Sequence, residues 1–446
     1  MASKGQEDFD REAKDAVVKL RGSFDRGTMS SLKSRKHVLV QFRKMLMEGR
    51  RKMEKALWKD LHKNKTESYI CEINQVEHEV QHMIDHLEEY AAPESVSTNL
   101  LNLPGSSAIR CDPLGVCLVI GAWNYPVYLS LIPLVGCLAA GNTAILKMPS
   151  DKYTKHTSAA VAELIRSYFD PSVLCCIEGD RRATQAVLKQ RYDLIFFTGG
   201  SYVGKMVAAS AAKHLTPTVL ELGGKSPTIV TSKACVYVAA RRTAWGAFTN
   251  AGQTCVRPDH VFVHESVADE FLRVLKEAVL EFYSSKPHDT EFFGRLVNAR
   301  ARERVAKIVE SDRRYVYHGG DTTSYDNGGE DHYVGPTVLD FKSDFDAFYG
   351  SASMQDEIFG PILPVVRYSN LNRVIKEIRR REKPLALYCY TENAEERESI
   401  LRGTTSGGAV VNDCMVHLAN PSLPFGGVGM SGMGSYHGRQ SFNTFS

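Results

Sequence analysis

The sequence has very little net charge. Its 446 residues include 55 lysines and arginines and 52 aspartates and glutamates, which leaves a net charge of +3. Such a balance gives no global attraction to nucleic acid, so we expect no nucleic-acid partner. Hydrophobic residues make up 43% and charged residues 24%, close to the globular average. Disordered, collagen-like and coiled-coil proteins are therefore excluded, and the length predicts about two or three domains.

Paired cysteines and long apolar runs are also absent. The ten cysteines are scattered, and only Cys175 and Cys176 are adjacent, so the sequence has no Cys-x-x-Cys pair of a structural zinc site. Scattered thiols are typical of a reducing compartment, and we expect a cytoplasmic location. The charged N-terminus has no apolar core of a secretory signal. The longest apolar run, 127–140, is interrupted by a serine and a proline and is shorter than the ~20 residues that span a bilayer.

A basic helical stretch, as one helix or two in tandem, and an acidic helix after it are predicted near the N-terminus. Residues 32–65 contain twelve lysines and arginines and three acids, with apolar residues at helical spacing. Residues 66–90 contain seven acids and no lysine or arginine, again with helical spacing. We therefore predict a helical hairpin whose charged faces are solvated and neutralise each other, rather than a membrane-surface or nucleic-acid element.

Beyond residue 114, short apolar runs alternate with helical periods, which predicts parallel sheets covered by helices. Strands are predicted at 115–120, 143–146, 173–177, 194–197 and 218–220 in a first α/β region. A second region, 227–411, has predicted strands at 261–264, 363–366, 385–390 and 409–411. Helices are predicted at 157–169, 268–282 and 299–311. The segment 93–107, rich in proline, glycine and small polar residues, predicts an excursion from the body.

A zinc-protease pattern occurs at 78–82, which reads His-Glu-Val-Gln-His, and His86 adds a third imidazole one helical turn later. On a helix, the three histidines lie roughly 105° to 175° away from the apolar stripe. A catalytic metal needs a walled cleft, so we expect surface histidines and no metal site. A zinc hydrolase is the alternative, and it predicts bound metal.

Several short segments carry chemically useful groups, although each signal is weak by itself. Cys255 follows small residues, and Glu221 precedes two glycines that permit close backbone approach at the junction of the two α/β regions. Asn124 follows the first predicted strand, where ligands of open α/β sheets bind. Residues 198–204 follow a strand and open a helix, but Ser201 replaces the second glycine of G-x-G-x-x-G. Nucleotide binding and a plain turn therefore both stay open there.

Six motifs follow one another in the order and approximate spacing of the aldehyde dehydrogenase superfamily, which the sequence resembles from about residue 9 to its end. The ending SGMGSYHG at 431–438 resembles the class 3 branch, which includes the fatty aldehyde dehydrogenases. The six motifs are WNYP at 123–126, FTG at 197–199, ELGGK at 221–225, GQTC at 252–255, EIFGP at 357–361 and PFGG at 424–427.

The resemblance implies an α/β protein with an aldehyde dehydrogenase-like fold and a homodimeric assembly. A Rossmann-type NAD(P)-binding domain is expected at 1–92 and 108–222, and an α/β catalytic domain at 223–414. An oligomerisation hairpin and tail are expected at 93–107 and 415–446. In membrane-bound relatives an apolar anchor follows the shared motifs, so we expect membrane association, at the endoplasmic reticulum, only if the natural product extends past Ser446.

The resemblance also implies the NAD- or NADP-dependent oxidation of medium- or long-chain aliphatic, or aromatic, aldehydes to acids. The Cys255 thiolate would attack the aldehyde carbon, and the Asn124 amide and the Cys255 N–H would hold the oxyanion, on the order of 3 to 4 kcal/mol per donor. Glu221 would activate the water that hydrolyses the thioester. Glu357 is a second carboxylate, assigned to the nicotinamide ribose, and the sequence does not rank the two bases.

Two other functions are compatible with this fold. Transfer of the acyl group to coenzyme A is disfavoured, because Glu221 would be a hydrolytic base without a purpose. A catalytically inactive structural relative is disfavoured because the four groups Asn124, Glu221, Cys255 and Glu357 are all retained.

By resemblance, Lys147 contacts the adenosine ribose, Gly199 and Gly204 flank the pyrophosphate, and Phe359 buttresses the nicotinamide. One departure concerns 147–151, where Lys-Met-Pro-Ser-Asp replaces the usual Lys-Pro-Ser-Glu. The displaced, shorter carboxylate leaves the choice between NAD and NADP open. The expected cofactor contacts are Lys147, Gly199, Gly200, Ser201, Gly204, Glu221, Leu222, Gly223, Glu357 and Phe359. The expected walls of the substrate pocket are Tyr125, Leu129, Trp245 and His437.

Overall fold

The computed structural model describes residues 4–325 and 331–446, and in them it contains sixteen α-helices and fifteen strands. The helices are α1 Gln6–Asp25, α2 Leu32–Leu61, α3 Lys65–Ser68, α4 Asn74–Ala91, α5 Tyr128–Ala140, α6 Asp151–Tyr168, α7 Arg181–Leu188, α8 Ser201–Ala212, α9 Val236–Phe248, α10 Ala268–Tyr283, α11 Ala299–Ser311, α12 Phe345–Gly350, α13 Ala352–Gln355, α14 Leu371–Arg379, α15 Ala394–Gly403 and α16 Gly438–Thr444. The strands are β1 Glu94–Val96, β2 Ser107–Ile109, β3 Val116–Ile120, β4 Thr143–Lys147, β5 Leu174–Ile177, β6 Leu194–Thr198, β7 Thr218–Glu221, β8 Pro227–Val230, β9 His260–His264, β10 Val316–His318, β11 Thr337–Asp340, β12 Ile362–Tyr368, β13 Ala386–Tyr390, β14 Gly408–Val411 and β15 Gly432–Met433.

The first sheet has the strand order β15-β7-β6-β3-β4-β5. Strands β3 to β7 are parallel, and β15 pairs antiparallel with β7. Their residues are almost all buried, as expected for a parallel sheet with helices on both faces. The chain order reverses at β3, and ligands of doubly wound sheets bind beyond the carboxyl ends of strands at such a point.

The second sheet has the strand order β10-β11-β12-β9-β8-β13-β14 and is parallel except for β10. The predicted strands of this region are confirmed to within one or two residues, whereas β8, β10 and β11 were not predicted. The α/β fold class is confirmed. Strands β3 to β7 and β8 to β14 fall within the predicted NAD(P)-binding and catalytic ranges, whereas β15 lies in the predicted tail, and the domain boundaries themselves stay a prediction.

The two predicted N-terminal helices are present, and the segment that joins them has two unusual backbone features. Helix α2 ends at His62, which has the left-handed backbone angle φ 54°, and a π-helical turn at Tyr69–Ile73 precedes α4. The apolar stripes of α2 and α4 lie in one hydrophobic core. The expectation of uniformly solvated charge is wrong for Lys63 and Glu72, whose side chains are fully buried.

The zinc-protease pattern lies on α4, and the structure corrects the expectation that it faces solvent. His78 is exposed, but His82 is half-buried and shares a hydrogen bond of 2.8 Å with the Tyr90 hydroxyl. Glu79 is buried, and its carboxylate accepts a hydrogen bond of 2.7 Å from the Gly438 N–H. Within 4–325 and 331–446, no three His, Cys, Asp or Glu side chains form a cluster that could hold a metal ion.

The excursion 93–107 and the tail 415–446 lie in different parts of the fold. Strands β1 and β2 form an antiparallel hairpin, whose loop exposes Leu100 and Leu101 by 84% and 94%. In the tail, β15 extends the first sheet and α16 packs on α5, where Phe442 is fully buried. These two elements of the tail therefore pack with the first sheet and its helix α5. Among the helices of the described chain, none is both long and apolar enough to cross a bilayer.

Candidate active site

Four strands of the first sheet end at one edge, where they place three predicted site residues and one residue, Thr198, that was not predicted. Asn124 follows β3, Lys147 ends β4, Thr198 ends β6 and Glu221 ends β7. Because parallel strands all present their carboxyl ends at the same edge, these groups meet although they are far apart in sequence. The second sheet contributes Cys255, from the loop between α9 and β9.

The loop before Cys255 is held in an uncommon backbone conformation. Asn250 and Ala251 have φ angles of 54° and 50°, a region that side chains other than glycine and asparagine rarely adopt. The Asn250 side-chain N–H group bonds the carbonyl oxygen of Asn124 at 2.8 Å and that of Gln253 at 3.1 Å. Sequence reasoning missed Asn250, although an asparagine among small residues is itself a signal of a left-handed position.

Cys255 is partly exposed and lines an apolar pocket. Burial, and then the neighbouring Glu357 and Glu221 carboxylates, raise the pKa of its thiol, while the backbone N–H groups of Cys255 and Val256 oppose the rise. The free protein therefore holds Cys255 mainly as a thiol. A base is needed to form the thiolate that the chemistry requires.

Glu221 is a carboxyl group without a hydrogen-bond partner. It is 3% exposed, and neither of its oxygens has a donor among the described residues. Burial raises the pKa of Glu221 well above its ordinary value. A carboxyl group with both oxygens unbound is suited to receive a proton from a water molecule.

Glu357 faces the glycines that follow Glu221. Burial and the Asp259 carboxylate raise the pKa of Glu357 to about 8, and the Gly224 N–H and the Lys225 ammonium group oppose that rise. A side chain at Gly223 would bring its Cβ to 2.1 Å from Glu357 Oε2, so only glycine fits there. Both glutamates thus have raised pKa values, and Glu357 is the one with a backbone donor.

Asn124 lies between the two halves of the site. Its side chain is buried and donates a hydrogen bond of 3.1 Å from Nδ2 to the carbonyl oxygen of Gln253, in the Cys255 loop. Its own carbonyl oxygen accepts bonds from Lys63 Nζ and Asn250 Nδ2, both at 2.8 Å. The predicted oxyanion donor is therefore tied directly to the loop of the predicted nucleophile.

Residues 356–360, here named the strap, carry Glu357 and Phe359. Phe359 has φ 44° and packs edge-on against Trp123, with ring centroids 5.3 Å apart. Asp259 Oδ1 accepts from the Ile358 N–H at 3.0 Å, and Lys225 Nζ donates to the Asp356 carbonyl at 2.9 Å. These hydrogen bonds hold the strained backbone of the strap in place.

The first sheet also offers groups that fit a dinucleotide. Helix α8 begins at Ser201, and Gly200 before it faces open space, whereas a Cβ on Gly204 would lie 2.7 Å from Leu222. Lys147 Nζ donates to the carbonyls of Met148 and Gly179, and burial lowers its pKa to about 8. Thr198 Oγ1 and Glu357 Oε1 are buried without partners. An uncapped helix N-terminus and unbound polar atoms at one edge are what a pyrophosphate and two riboses require.

The pocket lined by Cys255 has a volume of about 210 Å³ and mainly apolar walls. Tyr125, Leu129 and Trp245 are among its lining residues, where the sequence reasoning expected them. His437 is not in the lining: it is buried behind Tyr128, to whose hydroxyl it hydrogen-bonds at 3.1 Å. The lining residues that the sequence reasoning missed are Ile70, Cys71, Gln75, Tyr128, Thr254, Val256, Met415, Val416, Leu418, Ala419 and Phe425.

Known proteins are similar to this chain over nearly its whole length. The family model described as "Aldehyde dehydrogenase family" matches residues 2–446. The "Aldehyde dehydrogenase, dimeric NADP-preferring" of Rattus norvegicus is 41% identical over 432 residues, which is 97% of this chain and 92% of that protein.

Two solved structures are similar as well. The substrate-bound state of Staphylococcus aureus AldH has a TM-score of 0.92 at 38% identity and covers 97% of this chain and 92% of its own. An indole-3-acetaldehyde dehydrogenase in complex with NAD+ has a TM-score of 0.88 at 25% identity, with coverage of 98% and 87%.

Proposed function

Since the chain belongs to the aldehyde dehydrogenase family, and is an oxidoreductase that oxidises aldehydes with NAD or NADP, we propose that it converts medium- or long-chain aliphatic, or aromatic, aldehydes to carboxylic acids by covalent catalysis at Cys255. One observation carries the proposal: Cys255 lines an apolar pocket and lies next to two buried carboxyl groups.

The first step forms the bond between sulfur and the aldehyde carbon. A neighbouring carboxylate, Glu221 or Glu357, accepts the thiol proton, and the sulfur lone pair attacks the carbonyl carbon. The carbonyl oxygen becomes an oxyanion, and the Asn124 side-chain amide and the Cys255 N–H hold it in the resulting thiohemiacetal. Asn124 Nδ2 carries two hydrogens, so the amide can donate one to the oxyanion and keep its hydrogen bond to the Gln253 carbonyl.

The cofactor is NAD or NADP, which when bound would accept hydride from the thiohemiacetal carbon; loss of that hydride re-forms the C=O bond and leaves Cys255 as a thioester. The Ser201 end of α8 would hold the pyrophosphate, Lys147 a ribose of the adenosine half, and Glu357 a ribose of the nicotinamide half. Phe359, supported by Trp123, would limit the movement of the nicotinamide ring.

The last step releases the acid. Glu221, whose oxygens have no other partner, takes a proton from a water molecule while the water oxygen attacks the thioester carbon. The carbon–sulfur bond then breaks, the acid leaves, and Cys255 regains a proton. Transfer to coenzyme A is not favoured, because it leaves Glu221 without a function.

The pocket indicates the class of aldehyde. Its aromatic walls, Tyr125, Tyr128, Trp245 and Phe425, offer apolar contact, and Ile70 and Val416 at its lining are half-exposed. An apolar tail gains free energy on entering such a pocket, about 25 cal/mol for each Å² removed from water. A small polar aldehyde gains little, so we propose selection by apolar chain length.

The rat relative is named as dimeric, and we propose a homodimer for this chain too, formed through the β1–β2 hairpin. All ten cysteines are free, which is typical of reducing compartments and supports a cytoplasmic location.

The experiment is an assay of NADPH and NADH formation with a series of straight-chain aldehydes, on the parent and on Cys255→Ala. We expect the variant to bind the dinucleotide but to lose aldehyde-dependent reduction. The matched control is Cys235→Ala, which removes an exposed thiol before α9 and is expected to keep full activity. Turnover by Cys255→Ala would overturn the proposed covalent catalysis. Equal rates for polar and apolar aldehydes would overturn the proposed substrate class.

A further inference from the structure

Lys63 and Glu72 form an ion pair that is completely buried, with 0% exposure of both side chains and 2.6 Å between Lys63 Nζ and Glu72 Oε1. Removing two charges from water opposes folding, and their mutual attraction seldom offsets that cost by itself. Apolar side chains of the same size would serve stability at least as well. The pair therefore points to a task other than stability.

The turn that contains Asn124 receives the remaining hydrogen bonds of this pair. Lys63 Nζ donates to the Asn124 carbonyl at 2.8 Å and lies 3.8 Å from the centre of the Tyr125 ring. Glu72 Oε2 accepts from the N–H groups of Val127 at 2.8 Å and Tyr128 at 3.3 Å. The ion pair thus holds the turn from both ends, at its carbonyl and at the N-terminus of α5.

Two unusual backbone features place the pair there. Lys63 follows the left-handed residue His62 at the end of α2, and Glu72 stands in the π-helical turn Tyr69–Ile73. Such π-helical turns are rare and often occur at functional sites. Both features turn a charged side chain inward, between the N-terminal helices and the Asn124 turn.

We propose that Lys63 and Glu72 are positioning residues, which fix the Asn124 amide at the orientation required for the oxyanion. The Asn124 carbonyl is shared between Lys63 and Asn250, so the same network also fixes Asn124 relative to the Cys255 loop. An oxyanion donor acts only within about 2.7–3.1 Å of the developing charge, and small displacements weaken it. This inference rests on the proposed oxyanion role of Asn124.

The test compares Glu72→Gln with Asp340→Asn. Asp340 is another buried carboxylate, paired with Arg367 at 2.7 Å at the end of β11, so its amide variant controls for the loss of a buried charge. We expect Glu72→Gln to lower kcat/KM for the aldehyde by ~10- to 100-fold, because a displacement of the Asn124 amide by about 1 Å can lower the rate by up to about 100-fold. NADP affinity, measured by fluorescence titration, should change no more than in Asp340→Asn.

A double-mutant cycle separates positioning from general structural damage. In an Asn124→Ala background there is no amide to orient, so Glu72→Gln should lower kcat/KM less than about threefold further. A loss as large as in the parent background would overturn the inference, and so would near-parental kcat/KM of folded Glu72→Gln. If Asn124→Ala alone retains parental activity, the proposed role of Asn124 fails instead.

Should Glu72→Gln not fold, the double variant Lys63→Met/Glu72→Leu replaces the pair by apolar groups of similar size, which buried pairs often tolerate. We expect it to fold, to bind NADP and to show the same ~10- to 100-fold loss in kcat/KM. Parental kcat/KM in that folded variant would overturn the inference as well.

Discussion

At the scale of single residues, the titratable groups of the site share one property: burial favours their uncharged forms. Cys255, Glu221 and Glu357 all have raised pKa values, and burial is the largest cause for each. A buried carboxyl group that is neutral in the resting site becomes a stronger base once it ionises. The structure also separates the two glutamates, because Glu357 has the Gly224 donor and Glu221 has none.

We expect Glu221→Gln to be acylated but not hydrolysed, because glutamine cannot take a proton from water. One equivalent of NADPH should form rapidly per site, and steady-state kcat should fall by ~10²- to 10⁴-fold. Stopped-flow absorbance and intact-protein mass spectrometry measure the burst and the adduct on Cys255. Glu357→Gln is the matched control and should accumulate no adduct; the reverse pattern would make Glu357 the base of hydrolysis.

The pH dependence of the parent protein and of Glu357→Gln follows from the raised pKa of Glu357. Glu357 is one of the two carboxylates that can accept the Cys255 proton, and it accepts a proton only when ionised. Because its pKa of about 8 in the free protein lies above the usual value, kcat/KM for the aldehyde should rise with pH through about 8. In Glu357→Gln that inflection should disappear. A parent profile that is flat over this range would contradict the assignment.

At the scale of elements, the strap shows how a strained segment is held in place. Lys225, at the junction of the two sheets, pairs with Asp259 at 2.5 Å and donates to the carbonyls of Ser353 and Asp356. Arg304 of α11 donates to the Ile358 carbonyl at 2.5 Å. Three charged side chains thus fix the backbone on which Glu357 and Phe359 stand.

We expect Asp259→Asn to loosen the strap, because the Lys225 ammonium loses its buried partner. The free energy of unfolding should fall by about 2–4 kcal/mol, and KM for the dinucleotide should rise. Chemical denaturation and steady-state kinetics give the two quantities. Asp340→Asn, a buried carboxylate away from the strap, should lose stability without a change in KM; equal KM values in both variants would contradict this role.

At the scale of the whole molecule, the two sheets share one site, while the β1–β2 hairpin extends from the body. Its loop exposes three leucines, Leu100, Leu101 and Leu103, which is unusual for a solvated surface. The Glu94–Arg439 ion pair of 3.2 Å connects the hairpin to α16. A second copy of the chain that covers these leucines would remove them from water.

We expect Leu101→Glu to shift the protein toward monomers, because the interface would bury an unpaired carboxylate. Dimerisation should weaken by roughly 100-fold or more, equivalent to about 2.7 kcal/mol. Sedimentation velocity over a concentration series measures the shift. Leu215→Glu, which changes an equally exposed leucine after α8, should leave the mass unchanged. A Leu101→Glu variant with the parent's mass would exclude the hairpin from the interface.

The sequence by itself determined most of the elements and pointed to the candidate reacting groups, because both depend on local information. Apolar periodicity predicted most strands of both sheets, and α11 at its observed bounds, Ala299–Ser311. The six motifs identified Cys255, Glu221, Asn124 and Glu357 as candidates, whose catalytic roles the proposed experiments test.

Only the tertiary structure decided which charges are buried and what surrounds the reacting groups. The pocket is lined by four segments that are distant in the chain, so its missed walls, such as Tyr128 and Phe425, left no local signal. Likewise, the burial of Lys63 and Glu72, the inward direction of Glu79 and the place of His437 behind Tyr128 depend on contacts across the chain. Desolvation and hydrogen bonding are set by the neighbours in space, and a sequence gives only the neighbours along the chain.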